Sequence, residues 1–382
     1  MEIMNQQKTR VILVRHGRST YNDRGLFQGC CDDSLLSENG KLQADRTGLA
    51  LQNIKIDAIY SSPLQRTQQT AKVIGNVINY PRIIHTHPYL KEIDLPVWEG
   101  LSFTEVRENL AEDYRLWQEF PDRFQMVSFS NTNKLEYPVL NLYNRAANFW
   151  QEILPDHRGK NILIVSHGGT IRALISTALG IKPSYYHYLQ QSNCGISILE
   201  LDSENFQISR LKTMNLTSHL GETLPKLKAG KQGARLILFS VDLIKSETIQ
   251  TLTNLLEQIP LDFYFHQDCP SIRSIITSLQ IDSIPLPDSP TNSLLTDRPK
   301  ILSLTQTIPL STALIIANSA SIQSTLVEIL GKSIDPTFFN LQPNTMTIIH
   351  YPTSTNHPII QAINLSESTM RKLSYNFHES FN

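Results

Sequence analysis

The sequence is short of several features that would place a protein quickly. It has four cysteines in 382 residues (Cys30, Cys31, Cys194 and Cys269), in no metal-ligating spacing. Four scattered thiols suit a reducing compartment, so a cytoplasmic protein is the expectation, with adjacent Cys30 and Cys31 in a loop. It has no excess of either charge. The 34 basic and 35 acidic residues leave a formal charge of −1, which argues against a nucleic-acid-binding surface and an acidic tail. No stretch nears the ~20 apolar residues of a membrane helix. The opening Met1-Glu2-Ile3-Met4-Asn5-Gln6-Gln7 has no apolar run behind basic residues, so no secretory signal is expected.

What is present is a chain more than twice the ~150-residue domain prior, so two domains are expected. Apolar residues at 40% can fill their cores. Residues 10–14, Arg-Val-Ile-Leu-Val, read as a buried strand ending abruptly at Arg15-His16-Gly17. Residues 57–62 read as a second strand. Ser62 and Pro63 then look like the cap and first position of a helix over 64–78. Residues 161–165 form a third strand closed by Ser166-His167-Gly168-Gly169, with Thr170 as the expected cap of a helix ending at Gly180. Strands alternating with helices predict an α/β fold, a three-layer sandwich on a mostly parallel sheet. Between residues 100 and 143, Trp117, Phe120, Phe124, Met126 and Phe129 stand among charged residues. This segment reads as a helical excursion over one end of the sheet, and its motion as a lid is left open.

Residues 219–233 are rich in glycine and lysine without periodicity, and read as a linker. Beyond them the pattern restarts as a degenerate copy. Arg235-Leu-Ile-Leu-Phe239 mirrors Arg10-Val-Ile-Leu-Val14, and Pro270-Ser-Ile-Arg273 echoes Pro63-Leu-Gln-Arg66. Ala313-Leu-Ile-Ile-Ala317 before Asn318 echoes Ile162-Leu-Ile-Val-Ser166 before His167. The expected organisation is therefore a catalytic domain over 1–218, a linker over 219–233 and a degenerate, non-catalytic copy over 234–382. In that copy Ser240, Val241, Asn318 and Arg273 stand for Arg15, His16, His167 and Arg66. Its expected role is support of the first domain, within the chain or through a homodimer interface.

Four features of the first copy suit one chemistry. His16 follows a strand end, where open α/β sheets place ligands. Arg15 and Arg66 supply guanidinium groups matched to a phosphate, and Arg66 sits in the first turn of its helix. His167 occupies a second strand end. Glu92, between the second and third strands, can act as general acid. Each alone is an ordinary loop or surface residue; together they point to phosphoryl transfer. Cysteine chemistry fails on spacing, since the position six after each cysteine holds Leu36, Ser37, Glu200 or Ile275 rather than arginine. No Asp-x-Asp pair exists for an aspartyl-phosphate route. Gly331-Lys332-Ser333 lacks the first glycine of a phosphate loop, where Leu326 stands, and reads as a helix end.

Arg15-His16-Gly17-Arg18-Ser19-Thr20-Tyr21-Asn22, Ser61-Ser62-Pro63-Leu64-Gln65-Arg66-Thr67, Glu92 with Trp98-Glu99-Gly100, and Ser166-His167-Gly168-Gly169-Thr170 resemble the histidine phosphatase superfamily, in its phosphoglycerate-mutase branch. The resemblance spans residues 10–200. Lys91-Glu-Ile-Asp-Leu95, Leu116-Trp-Gln-Glu119 and residues 189–197 bring the chain nearest to the 2-carboxy-D-arabinitol 1-phosphate phosphatases. The resemblance implies that His16 attacks phosphorus and becomes phosphohistidine. It implies that Arg15, Arg66 and a protonated His167 hold the phosphoryl oxygens, and that Glu92 protonates the leaving oxygen. Asn22, Gln28, Gly29 and Gly168 match positions at the phosphate or substrate. No metal or other cofactor is implied, because the arginines and histidine supply the positive charge.

Two departures shape the expected function. Leu95-Pro96-Val97 replaces an aromatic–glycine pair before Trp98. Residues 110–140 carry no basic cluster for a phosphoglycerate carboxylate, since Arg115 and Arg123 stand apart. The expectation is a phosphatase of a small phosphorylated metabolite, a sugar-acid phosphate or a sugar bisphosphate. Phosphoserine phosphatase is the alternative, ahead of phosphoglycerate mutase and a non-catalytic metabolite sensor. The sensor reading is opposed by Glu92, since a pure phosphate binder needs no proton donor.

Overall fold

The computed structural model describes residues 8–128, 134–242, 246–286, 294 and 309–366, and Phe129 lies outside them. These residues divide into two compact units. Unit 1 runs to His187 and resumes over Gln191–Leu211; unit 2 comprises Tyr188–Gln190 and the chain from Lys212.

Unit 1 opens with β1 (Lys8–Arg15), α1 (Thr20–Arg24), α2 (Glu38–Leu51), β2 (Ala58–Ser61), α3 (Gln65–Val77) and β3 (His85–Thr86). There follow α4 (Phe103–Asn109), α5 (Ala111–Glu119), the hairpin of β4 (Met126–Ser128) and β5 (Lys134–Glu136), and α6 (Pro138–Ile153). It closes with β6 (Asn161–Ser166), α7 (Gly168–Leu179) and β7 (Ile196–Asp202). The excursion expected after residue 100 is thus two helices and a hairpin. Its Trp117 packs on Trp98, Phe124 and Tyr186, with ring centroids 5.9, 5.4 and 5.5 Å apart.

β8 (Ser209–Leu216) crosses the unit boundary, which falls before the expected linker. Residues 221–232 carry neither helix nor strand. Unit 2 then holds β9 (Gly233–Ser240), α8 (Ser246–Gln258), β10 (Phe263–Gln267), α9 (Pro270–Leu279) and β11 (Ile284–Leu286). After them come β12 (Leu310–Ala317), α10 (Ser319–Leu330), β13 (Thr345–Tyr351) and β14 (Ile359–Ser366). Gly331 is the C-cap of α10, so Gly331-Lys332-Ser333 is a helix end.

Val11, Ile12, Leu13 and Val14 of β1 are fully buried. A strand buried on both faces requires cover on both, which gives the layered α/β arrangement. Each such side chain contributes roughly 1.5–3 kcal/mol by leaving water. β1 runs parallel to β6, β6 to β2 and β2 to β3, while β7 pairs antiparallel with β1. Unit 2 repeats the order: β9 is parallel to β12, β12 to β10 and β10 to β11, with β13 antiparallel on β9.

The repetition extends to the register. Arg15 pairs with Ser166 as Ser240 pairs with Ala317. The Cys194 N–H donates to the Arg15 carbonyl at 3.0 Å, and the Asn344 N–H to the Ser240 carbonyl at 2.8 Å. Cys194 and Asn344 both adopt positive φ, 53° and 60°, a conformation uncommon outside glycine. The register corrects one sequence-based pairing. Ser61 lies opposite Val165 and His266 opposite Ile316, and Leu64 and Cys269 are the corresponding helix N-caps. Ser271, not Arg273, therefore occupies the place of Arg66. Counting from a proline failed because Pro63 precedes its N-cap whereas Pro270 follows its own.

Candidate active site

Strand register brings the two histidines together. His16 and His167 each follow the last residue of adjacent parallel strands, and the His16 N–H donates to the Ser166 carbonyl at 2.8 Å. Their rings lie 5.3 Å apart, edge to face, and both are buried. Nδ1 of His16 is 2.7 Å from the Gly17 carbonyl oxygen. A carbonyl can only accept, so the proton sits on Nδ1 and the lone pair on Nε2.

The second histidine is oriented by a residue expected in another role. Ser62 does not cap α3, whose N-cap is Leu64. Its hydroxyl lies 2.8 Å from Nε2 of His167 and accepts the Leu64 N–H at 3.3 Å. The Ser62 hydroxyl carries one proton and two acceptor sites, so with the Leu64 N–H accepted its proton is available to Nε2; in that tautomer the imidazole proton sits on Nδ1, a buried atom without a partner among the described residues. Burial pushes the His167 pKa well below 6.5, and the neighbouring Arg66, Arg15 and Arg145 guanidinium groups push it further. The expected protonated His167 is thus not the resting state of this site.

Both arginines are tied along one edge. Arg66 is fully buried and donates through Nη1 to the Cys31 carbonyl at 3.1 Å and through Nη2 to that of Gly29 at 2.8 Å. Arg15, half-buried, donates through Nη1 to the Gln191 carbonyl at 3.0 Å. Nε of each is buried without a partner. Burial pushes Arg15 down to about 10, opposed by the Glu92 charge and assisted by Arg172 and Arg66. Burial also lowers Arg66, with Glu92 and Asp32 opposing. Arg15 remains a cation at neutral pH.

Glu92 approaches from an irregular segment after β3. Its Oε1 accepts from the Ile93 N–H at 2.8 Å and the Thr170 N–H at 3.1 Å, and its Oε2 from the Gly169 N–H at 3.1 Å. The carboxylate thus rests on the first turn of α7, where helix N–H groups point outward. Thr170, expected as the cap, is the third helical residue; the N-cap is His167.

The remaining sequence candidates form the frame. Oδ1 of Asn22 accepts from the Ser19 N–H at 3.3 Å and from Asn193 Nδ2 at 2.9 Å, while Asn193 Nδ2 also donates to the His16 carbonyl at 3.0 Å. Oε1 of Gln28 accepts from the Ser19 and Ser34 hydroxyls at 2.9 and 3.0 Å. Gly29 has no room for a side chain, since a β-carbon there would lie 2.4 Å from Oε1 of Glu99. On Gly168 it would lie 3.3 Å from Nε of Arg15. Cys30 lies in a bend and Cys31 in the irregular chain after it, and burial pushes the Cys30 thiol up to about 12, which disfavours a thiolate. Among the described residues no group of three or more His, Cys, Asp or Glu could hold a metal ion, and no helix is long and apolar enough to cross a membrane.

Sequence reasoning missed the orienting role of Ser62, the Gln191 carbonyl, Asn193 and Arg145. None carries a local signature, because each acts through a partner at least 50 residues away in the chain.

Paired histidines at adjacent strand ends, one fully buried and one half-buried arginine, and a carboxylate are thus brought together at the carboxyl ends of the parallel strands. Residues 11–214 match the histidine phosphatase superfamily (branch 1), and the chain belongs to that family. Among its relatives is the 2-carboxy-D-arabinitol-1-phosphatase of Triticum aestivum, 38% identical over 191 residues, 50% of this chain. The chain spans only 37% of that protein's length. Phosphoserine phosphatase 1 of Hydrogenobacter thermophilus is 35% identical over 218 residues, covering 56% of this chain and 95% of the relative. A solved phosphoserine phosphatase of Entamoeba histolytica, in complex with 3-phosphoglyceric acid, is 29% identical with a TM-score of 0.47, covering 56% of this chain and 99% of its own.

Proposed function

We propose that unit 1 is a metal-independent phosphatase that hydrolyses the phosphate monoester of a small metabolite through a phosphohistidine. The observation that carries this reading is the convergence of His16, whose Nε2 bears the lone pair, with three buried unpartnered nitrogens of Arg15, Arg66 and His167. Nε2 of His16 attacks phosphorus, the bond from phosphorus to the ester oxygen breaks, and Glu92 gives its proton to that oxygen. Water then attacks the phosphohistidine, its proton passes to Glu92, and orthophosphate leaves. The guanidinium groups and the Nδ1–H of His167 stabilise the charge spreading over the phosphoryl oxygens.

The favoured substrate is a sugar-acid phosphate such as 2-carboxy-D-arabinitol 1-phosphate, supported by the 38% identity to the wheat enzyme. Phosphoserine is the second reading, supported by a relative that this chain covers almost end to end. A mutase is disfavoured by the state of the arginines over residues 110–140. Arg115 is held by Glu112 and Glu119 at 2.8 and 2.7 Å, and Arg123 lies over the Phe120 ring.

Unit 2 is read as non-catalytic. At the place of His16 it has Val241, at that of Arg15 Ser240, at that of His167 Asn318 and at that of Arg66 Ser271. None can attack phosphorus by the same route or supply a positive charge. Asp242 lies at the start of α10, where it accepts the Ser319 N–H at 2.9 Å and the Ser319 hydroxyl at 2.5 Å. A carboxylate of the chain itself thus takes the helix terminus that a phosphate would use.

The test is trapping. Brief incubation with labelled substrate and a quench that avoids acid should give alkali-stable label in the wild type and none in His16→Ala. Label persisting elsewhere overturns the assignment. A screen of purified enzyme against phosphorylated sugar acids, sugar bisphosphates, phosphoserine and 3-phosphoglycerate separates the substrate readings.

A further inference from the structure

Glu92 belongs to a stretch with neither helix nor strand, as do its neighbours from Lys91 to Leu95. The N–H groups of Ile93, Gly169 and Thr170 hold its carboxylate, but no strand ladder fixes the peptide that carries it. The segment is instead gripped by its carbonyls. The Ser166 hydroxyl donates to the Leu90 carbonyl at 2.8 Å, and the Thr170 hydroxyl to that of Lys91 at 2.7 Å. Cys30 Sγ donates to the Glu92 carbonyl at 3.0 Å.

The charged member of this clamp is Arg145 on α6. Its Nη1 donates to the Lys91 carbonyl at 3.1 Å and its Nη2 to the Glu92 carbonyl at 2.9 Å. One planar fork thus spans two consecutive peptide groups. A lysine, with a single compact ammonium, does not reproduce that geometry. α6 is anchored by fully buried Leu142, Ala146 and Phe149 around Arg145, so the fork is presented from a rigid element.

We infer that Arg145 is a positioning residue for proton transfer, holding the peptide of Glu92 so that its carboxyl group meets the leaving oxygen. The inference rests on the reading of Glu92 as general acid. Among the described residues both hydrogen bonds of Arg145 go to the Lys91 and Glu92 carbonyls. Its effect must therefore appear where the leaving group needs a proton and vanish where it does not. A competing role, in which its charge draws the phosphate in, depends on the charge alone and acts on KM.

The experiment compares two substrates in the full-length protein. Glycerol 2-phosphate has a poor, alkoxide leaving group; 2,4-dinitrophenyl phosphate releases an anion that needs no proton. The readout is the rate of phosphohistidine formation, measured as released alcohol or phenol in a single turnover, because the later water step uses Glu92 with either substrate. In that rate Arg145→Ala should lose about 10²-fold on the first, the cost of a small misplacement of a reacting group. On the second it should lose less than about threefold, with substrate affinity little changed on either. Arg145→Lys, which keeps the charge and loses the fork, should resemble Arg145→Ala. In a Glu92→Gln background, Arg145→Ala should add almost nothing. Equal losses on both substrates, no loss, or full activity in Arg145→Lys overturns the inference. Where Arg145→Ala does not fold, Arg145→Lys read on the same two substrates decides. Glu92→Gln alone separates the two levels of the argument. If it slows phosphohistidine formation equally on both substrates, the general-acid reading of Glu92 falls; if it is selective in that step and the Arg145 variants are not, only the positioning role falls.

Discussion

Gly169 and Glu92 are packed so closely that a β-carbon on Gly169 would lie 2.4 Å from Oε1 of the carboxylate and 2.3 Å from the Tyr186 hydroxyl. The glycine lets the carboxylate reach the helix N–H groups that hold it. The methyl of Gly169→Ala must displace Glu92 or the buried Tyr186 ring. The expected outcome is a folded protein whose kcat on an alkyl phosphate falls about 10²-fold. Steady-state kinetics alongside circular dichroism checks it, and an unchanged kcat would show that the Glu92 position is not critical.

Ser62 orients His167 through a single hydrogen bond. Ser62→Ala removes the donor that places the imidazole proton on Nδ1. The loss should be about fivefold in affinity for orthophosphate, the equivalent of ~1 kcal/mol for one hydrogen bond. Isothermal titration with phosphate measures it directly; unaltered affinity would remove Ser62 from the site.

Burial holds His167 well below 6.5, and also lowers His157, His266 and His350. The folded, ligand-free protein takes up protons on these imidazoles less readily than the unfolded chain, which takes them up as pH falls through 6.5. Protons thus favour unfolding, and the stability present above 6.5 is lost below it. Thermal midpoints should fall from pH 7 to 5.5, with a shallower slope in His167→Gln. A slope identical in the two proteins would mean that His167 is not the depressed group.

The proposed mechanism needs no metal ion, because the arginines already bring positive charge to the pocket. Arg15 and Arg66 supply what a divalent ion supplies to other phosphatases, so turnover should survive exhaustive chelation. Loss to chelator with recovery on adding magnesium would require another mechanism.

In unit 2, Arg273 is engaged by Asp268 at an exposed position, away from the place of Arg66. Arg273→Ala should leave turnover unchanged. Asp242→Ala should cost about 1 kcal/mol of stability, the net worth of a hydrogen bond to the helix terminus, also without changing turnover. Chemical denaturation and kinetics on the same samples test both. A fall in turnover in either folded variant would mean that unit 2 contributes to a site of its own.

Much of the fold was legible because it is written in local periodicity. The apolar runs that became β1, β2 and β6 announce strands, and polar pairs at their ends, Arg15-His16 and Ser166-His167, announce where a parallel sheet opens. The repeated strand order was legible for the same reason: a strand that must stay buried keeps its apolar pattern, as Leu236–Phe239 and Leu314–Ala317 do. Tertiary structure alone decided what lies opposite what. That Arg66 reaches the carbonyls of Gly29 and Cys31, that Ser62 serves His167 rather than a helix end, and that Arg145 grips the peptide of Glu92 are long-range contacts without sequence period. The place of Arg66 in unit 2 passes to Ser271 because strand register, not distance from a proline, determines which side chain enters the site. The residue types were readable along the chain; their partners existed only once the chain had closed on itself.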